Sequence, residues 1–165
     1  MTEPSVAALV LNYNGKDLTL ETVASLLAMT YPACEVVVVD NASTDGSHEA
    51  VREAFPDVTQ VRVEVNQGPA SGMNAGLRYV LEQGFDYALL LNNDIEVDPE
   101  MVTEMVEVAE RDPMIGVVGP KAYYFWDRER IWSAGGILRF KESVTRERGD
   151  GELDKGQWDR DEEVD

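Results

Sequence analysis

Tyr87-Ala88-Leu89-Leu90-Leu91-Asn92-Asn93-Asp94-Ile95-Glu96-Val97-Asp98 is the stretch on which the reading of the chain turns. It begins as an uninterrupted apolar run, the pattern of a strand buried on both faces of a parallel sheet. With no turn signal between, it then delivers two amides and a carboxylate. An open α/β sheet binds ligands outside the carboxyl ends of its strands, where side chains leave the core. Asp94 stands where such a strand would present it. A carboxylate there offers hard oxygen to a divalent cation, and that cation would neutralise a diphosphate. The same residues also suit a turn that caps a helix after Asp98-Pro99. The stretch alone does not choose between the two.

Two earlier segments repeat the design. Val6-Ala7-Ala8-Leu9-Val10-Leu11 is a first apolar strand ending in Asn12-Tyr13-Asn14-Gly15, a cluster with turn chemistry. Glu35-Val36-Val37-Val38-Val39-Asp40 has four successive β-branched residues, which disfavour helix, and runs into Asn41-Ala42-Ser43-Thr44-Asp45-Gly46-Ser47. Val61 to Val65 alternates as a third strand near an edge. Helical spacing fills the gaps: Leu20, Val23, Leu26 and Leu27 between Asp17 and Met29, then Ser47 to Phe55. After the small-residue loop Asn66 to Gly76, a helix carrying Met73, Leu77, Val80 and Leu81 stops at Gly84. Pro99 to Arg111 follows the opening stretch with proline in its first turn. Ile115 to Gly119 reads as a fifth strand, and Ala122–Trp126 with Ile131–Ala134 as a hairpin around Asp127–Arg130.

Strand and helix alternate, which predicts an α/β domain: a mostly parallel sheet with helices on both faces. Parallel strands put Asn12–Gly15, Asp40–Ser47 and Asn92–Asp94 on one edge of that sheet, where a nucleotide site is expected. The domain is expected over residues 1–140. From Lys141 to Asp165 apolar residues are too sparse for a core, so this segment is expected as an acidic, mobile tail or the start of a missing acceptor half.

The chain has 165 residues, enough for one domain with a sizeable core. Its formal net charge of -18 repels nucleic acid, whose binding requires cations against phosphate, and excludes that partner class. No apolar run approaches the roughly 20 residues of a membrane span, and Met1-Thr2-Glu3-Pro4 lacks a signal peptide's basic region. A cytoplasmic location is expected, with room for peripheral attachment at the inner face of the membrane. Cys34 is the single cysteine, so no internal disulfide forms, and a buried inert thiol is expected just before its strand.

A dinucleotide fold also places an acid at the Asp40 position, but it needs Gly-x-Gly-x-x-Gly after the first strand. Here that position reads Asn12-Tyr13-Asn14-Gly15-Lys16-Asp17, and no Walker loop is present either. Hydride transfer and P-loop chemistry fall away. Asp40 can accept hydrogen bonds from a ribose or nucleobase while also closing a turn over Ser43.

Four segments together resemble glycosyltransferase family 2: Val10–Asn14, Val38–Ser47, Asn66-Gln67-Gly68 with Gly72-x-Asn74-x-Gly76, and Leu91–Asp94. The likeness covers roughly Val6 to Gly136. It implies the GT-A fold and inverting transfer from a nucleotide-diphosphate sugar to a glycan or lipid-linked acceptor, usually with Mg2+ or Mn2+. By the same resemblance Asp40 contacts the nucleobase beside Leu11, Asn12 and Tyr13. Asn66, Gly68, Asn74 and Asn93 line the donor, and Asp94 is the metal ligand. The chain departs from the family at Met73, where a basic residue is frequent, and at Asn92, where the metal motif often has its first acid. Both departures, with Trp132-Ser133-Ala134-Gly135-Gly136, look like the rhamnosyltransferase-like branch and favour a deoxyhexose donor.

Two other readings share the pattern: a nucleotidyltransferase and a non-catalytic nucleotide-binding module. Inverting transfer needs a general base in reach of the acceptor hydroxyl. In the resembling family that carboxylate lies well downstream of the metal motif, so it is expected beyond Asp165. The domain is expected to be incomplete at its C-terminus, with an exposed sheet edge that invites pairing with a second copy.

Overall fold

The computed structural model describes residues 3–139 and 144–164, which divide into two compact units, Met1–Val102 and Thr103–Asp165. In the first unit the alternation of the sequence becomes β1 (Val6–Asn12), α1 (Lys16–Leu27), β2 (Cys34–Asp40), α2 (Ser47–Ala54), β3 (Thr59–Arg62), α3 (Pro69–Gln83) and β4 (Tyr87–Asn92). The four strands are parallel in the order β3-β2-β1-β4. The chain therefore walks outward from β1 through β2 to β3, then crosses back to place β4 on the other side of β1. That reversal is the switch point at which open α/β sheets form a ligand crevice.

Helices cover both faces, and the period of two along the strands decides which residue meets which helix. Val10, Val36 and Val38 pack with Val23 and Leu26 of α1 and Val51 of α2. Ala7, Leu9, Val37 and Val39 point the other way, against Val80 of α3 with Leu77 and Met73 beside it. The α3 contact is close because it is made through glycine. A Cβ on Gly76 would come within 2.7 Å of Val39 Cγ2 and 3.0 Å of Leu9 Cδ1.

β4 is not buried on both faces as its apolar run predicts. Its side chains alternate between partly buried and exposed, and Leu90 is 50% exposed. β4 is an end strand, with no strand beyond it among the described residues. Leu90 lies level with Leu9, on the α3 face, where α3 packs against β1 and β2. An apolar sequence made the strand; position in the sheet decided its cover. α1 also differs from expectation. Leu27 is 51% exposed, and the buried stripe is Thr19, Thr22, Val23 and Leu26.

The second unit begins within α4 (Met101–Ala109). Ile115 to Gly119, expected as a fifth strand, forms none, and Val117 is 91% exposed. A short apolar run becomes a strand only where a neighbour accepts its ladder, and these residues pair with none. The expected hairpin does form, as β5 (Ala122–Tyr124) and β6 (Asp127–Ser133), but its turn is Phe125-Trp126 rather than Asp127–Arg130. A second antiparallel pair joins β7 (Gly136–Arg139) to β8 (Val144–Glu147). Residues 148–154 then bond back along 129–135 through Ala134 N to Arg148 O, Ile131 N to Glu152 O and Asp154 N to Glu129 O. Among the described residues no helix is long and apolar enough to cross a membrane.

Candidate functional site

The carboxyl ends of β1, β2 and β4 meet at Asn12. Register places Asn12 opposite Asp40 and Leu11 opposite Asn92, so the three strands end nearly level. Asn12 is 1% exposed. Its amide hydrogens are shared among Ser47 Oγ at 2.8 Å, Ser43 Oγ at 3.2 Å and Asp40 Oδ1 at 3.3 Å. Its oxygen accepts from Thr19 Oγ1 at 2.9 Å, Gly15 N at 3.1 Å and Asn93 Nδ2 at 3.2 Å. One buried amide thus ties three strand ends to the starts of α1 and α2. Gly15 is required there, because a Cβ would come within 2.2 Å of the Asn93 amide nitrogen.

The loops over this hub are held by their own side chains. Asn14 has a left-handed backbone, φ 53°. Its N–H donates to Ser43 Oγ at 3.0 Å, and its side-chain oxygen accepts from Thr44 N at 2.8 Å. Ala42 also has φ 63°, a conformation that costs an L-residue roughly 1–2 kcal/mol; local strain of this kind concentrates at functional sites. Asp45 receives the backbone N–H groups of Lys16 and Ser47 at 3.1 and 3.0 Å. Burial pulls the Asp45 carboxyl upward. The Ser47 hydroxyl and the N–H groups of Ser47 and Lys16 outweigh it, and hold the carboxyl below the usual range.

Asp40 is fully buried. Its Oδ1 faces Asn12, and its Oδ2 lies 3.3 Å from Arg62 Nε. That approach is close enough for an ion pair but off the line of a hydrogen bond, so Oδ2 finds no donor among the described residues. Asn41, also buried, donates to Asn66 Oδ1 and Gly68 O, both at 3.2 Å. Asn66 Oδ1 also takes Gly68 N at 2.8 Å. Gly68, with φ 97°, opens α3 ahead of Pro69. Leu11 packs under that helix, where a Cβ on Gly72 would come within 2.7 Å of Leu11 Cδ1.

Asp94 lies at the far side of the same edge. The chain after it is fixed by α1: Thr22 Oγ1 donates to Ile95 O at 2.9 Å, and Ser25 Oγ accepts Val97 N at 2.8 Å. The capping question is answered by Asp98, whose Oδ1 accepts Glu100 N at 2.9 Å. Asp94 is left exposed, with no hydrogen bond or ion pair from the described residues.

Of the residues singled out from sequence, Leu11, Asn12, Asp40, Asn66, Gly68 and Asn93 enter this connected edge. Tyr13 stands in the first loop, 54% exposed. Asn74 lies exposed on the second turn of α3 and joins none of these hydrogen bonds. Thr19, Asn41, Ser43, Ser47 and Arg62 belong to the site and were not singled out. Asn41, Ser43 and Ser47 lay inside a quoted segment, Ser43 only as the residue under a turn from Asp40. Thr19 carried a usable signal, a threonine one turn before Val23 on a buried stripe; Arg62 carried none, since the strand expected over Val61 to Val65 lies instead at Thr59–Arg62 and only there does Arg62 end it. Among the described residues no group of three or more His, Cys, Asp or Glu could hold a metal. The donor set at this edge is one free carboxylate, which suits a cation that takes its remaining ligands from phosphate oxygens and water.

The family described as Glycosyl transferase family 2 matches residues 8–161. A poly-beta-1,6-N-acetyl-D-glucosamine synthase of Staphylococcus epidermidis is 27% identical over 115 residues, covering 68% of this chain and 27% of that protein. The Staphylococcus aureus (strain MSSA476) synthase is 28% identical over 108 residues, covering 64% and 26%. The chain thus spans about a quarter of the length of these curated relatives. Among solved structures, the mannosyltransferase PcManGT from Pyrobaculum calidifontis, in complex with GDP-Man and Mn2+, is 30% identical with a TM-score of 0.62. That match covers 70% of this chain and 35% of the other. S. aureus TarS 1-349 in complex with UDP-GlcNAc shares the fold at 21% identity and a TM-score of 0.57, covering 73% and 38%.

Proposed function

Since this chain belongs to glycosyl transferase family 2, we propose that its switch-point edge binds a nucleotide-diphosphate sugar for inverting transfer to a glycan or lipid-linked acceptor. The observation that carries this reading is the union of three strand ends through Asn12, with an unengaged carboxylate, Asp94, left at the rim. A crevice so built has fixed polar walls and one free anion, which is what a donor diphosphate and its cation require.

In this reading Asp40 offers a carboxylate oxygen to the nucleobase, and Asn12 holds that carboxylate in place. Tyr13, exposed beside it, presents a ring face for the base. Leu11, Asn66, Gly68 and Asn74 line the sugar-nucleotide on the α3 side. Asn93 sets the end of β4 so that Asp94 stands free, and Asp94 would hold Mg2+ or Mn2+. When bound, the cation supplies positive charge to the diphosphate that leaves as the glycosidic bond breaks. The general base is assigned to no described residue. Met73 and Asn92 keep a deoxyhexose donor first among the sugars to try. The donor-binding domain is taken as residues 1–140 and residues 141–165 as the start of an acceptor half, a choice over a mobile tail that the bonding of 148–154 along 129–135 supports; the protein would work on the cytoplasmic side, peripherally at the inner face of the membrane. The open edge of β4 is a pairing site for a second copy.

Isothermal titration with UDP, GDP and dTDP in Mn2+ should give binding to at least one, weakened by EDTA. Asp94→Asn should remove the metal dependence and leave the circular dichroism spectrum unchanged. Silence toward all three nucleotides would sink the proposal. Unfolding of Asp94→Asn would return Asp94 to a structural role.

A further inference from the structure

Arg62 comes from outside the Asn12 hub and reaches two of its members, Asp40 and Ser43. It ends β3, the outermost strand, directly opposite Asp40 in the ladder. Its guanidinium spans three groups: Nε 3.3 Å from Asp40 Oδ2, one terminal nitrogen donating to Ser43 O at 3.3 Å, the other 3.9 Å from Glu49 Oε1. The side chain is still 44% exposed while the carboxylate behind it is fully buried. An ionised carboxylate at that depth would be costly alone, and a guanidinium is the cation whose fork can serve it and still offer donors outward.

We propose that Arg62 is a base-reading residue of the nucleotide site, acting as a pair with Asp40. The inference rests on the donor-site reading above. Asp40 Oδ2 is an acceptor with an unfilled hydrogen-bond position. Arg62 has donors only, and cannot accept. Side by side they present an acceptor next to a donor. The matching base edge is an N–H beside a C=O, which uracil, thymine and guanine carry. Held the same way, with the ring nitrogen on Asp40 and the exocyclic group on Arg62, cytosine and adenine set acceptor against acceptor and donor against donor. A base takes Oδ2 when the guanidinium turns off it; the contact given up is the misaligned one, and Ser43 O and Glu49 keep the side chain beside the base. Discrimination built on paired polar groups is strong because the wrong base leaves buried groups unpaired.

The test is titration of the wild-type chain, Arg62→Met and Arg62→Lys with UDP, dTDP, GDP, CDP and ADP in Mn2+. The wild type should prefer its best lactam-bearing nucleotide over CDP and ADP by about tenfold or more, the scale of one charge-assisted hydrogen bond. Arg62→Met should lose that preference by weakening the preferred nucleotide alone. Arg62→Lys, which keeps charge without the fork, should fall between. A wild type that prefers CDP or ADP, or an Arg62→Met variant with its preference intact, overturns the proposal. If Arg62→Met fails to fold, Arg62→Lys decides: reduced preference supports the pair, and unchanged preference overturns it. Binding of no nucleotide sinks the donor-site reading and this inference together, whereas an Arg62-independent preference sinks the inference alone.

Discussion

The two units are held by opposite means. In Met1–Val102 the strands are sealed between helices, with Ala7, Ala8, Leu9, Val10, Val37 and Val39 all at 0% exposure. Its polar groups are locked inside as well, around Asn12. Among the described residues of Thr103–Asp165 the buried apolar side chains are Ile131 and Ala134. Charged contacts fasten much of what surrounds them. Lys121 Nζ bridges Asp154 at 2.7 Å and Asp159 at 2.6 Å, and Arg148 stacks 4.6 Å from the Trp158 ring centre while pairing with Glu162. Burial is weakly sensitive to salt and to pH; ion pairs with a partner open to solvent, as Asp159 and Glu162 are, weaken in salt and at extreme pH. The first unit should therefore behave as a rigid scaffold and the second as a conditional one.

The largest expected break is at the hub. Asn12→Ala leaves Asp40 Oδ1, Ser43, Ser47, Thr19 and Asn93 with lost partners in a dry setting, and should cost about 3–5 kcal/mol. That is a large share of a domain's whole stability. Urea denaturation should show it; a loss under 1 kcal/mol would mean water replaces the amide and the scaffold is looser than drawn.

Next in size is Gly76→Ala. The added methyl meets Val39 and Leu9, both at 0% exposure, with no room to retreat. A cost of about 1–3 kcal/mol is expected from overpacking, read as a lower melting temperature. A stabilised variant would show that α3 can shift off the sheet.

Lys121→Met probes the second unit. Hydrogen exchange should speed up across 150–156 and stay unchanged across 6–12. The pH dependence follows from the two shifts. The Lys121 hydrogen bond, then those of Tyr123 and Gly156, hold the Asp154 carboxyl well below its usual range. Its contribution is present above the ordinary aspartate value and is lost as pH falls through the depressed one. Burial pulls the Lys121 ammonium down, but hydrogen bonds with Asp154, Asp159 and Tyr123 outweigh it and raise its value. That contribution is complete below the ordinary lysine value and is lost as pH rises through the raised one. The clamp should hold across neutral pH, open at strong acid or strong alkali, and weaken in 1 M salt. Protection of 150–156 that is indifferent to salt would put its strength in the backbone bonds instead.

The smallest effect sharpens the burial side of the comparison. Desolvation pushes the Cys34 thiol up to about 11, against a backbone hydrogen bond with Ala8. Alkylation at pH 7.5 should be slow in the folded chain and fast in denaturant. Rapid labelling of the native protein would show that the start of β2 opens readily.

Much of the scaffold was legible in the residues. Four successive valines ending at Asp40 fix a strand whose end is polar, and the same pattern recurs at Asn12 and Asn92. Alternating strand and helix then forces parallel neighbours, so the strand ends had to share an edge. Resemblance supplied the family and its GT-A fold. What failed were inferences from apolar runs alone. Ile115 to Gly119 found no ladder, and Leu90 found no cover, because both depend on a neighbour the run itself does not encode.

By itself the sequence determined the α/β wind, the two apolar faces and the acids and amides gathered at the strand ends, since periodicity and residue chemistry are local properties. Only the tertiary structure decided what those groups do. It turned Asn12 and Asn93 inward as struts, left Asp94 free because Asp98 takes the cap, and set Arg62 from a separate strand against Asp40. Each depends on which atoms from distant segments come within about 3 Å of each other, and one-dimensional order does not contain that distance.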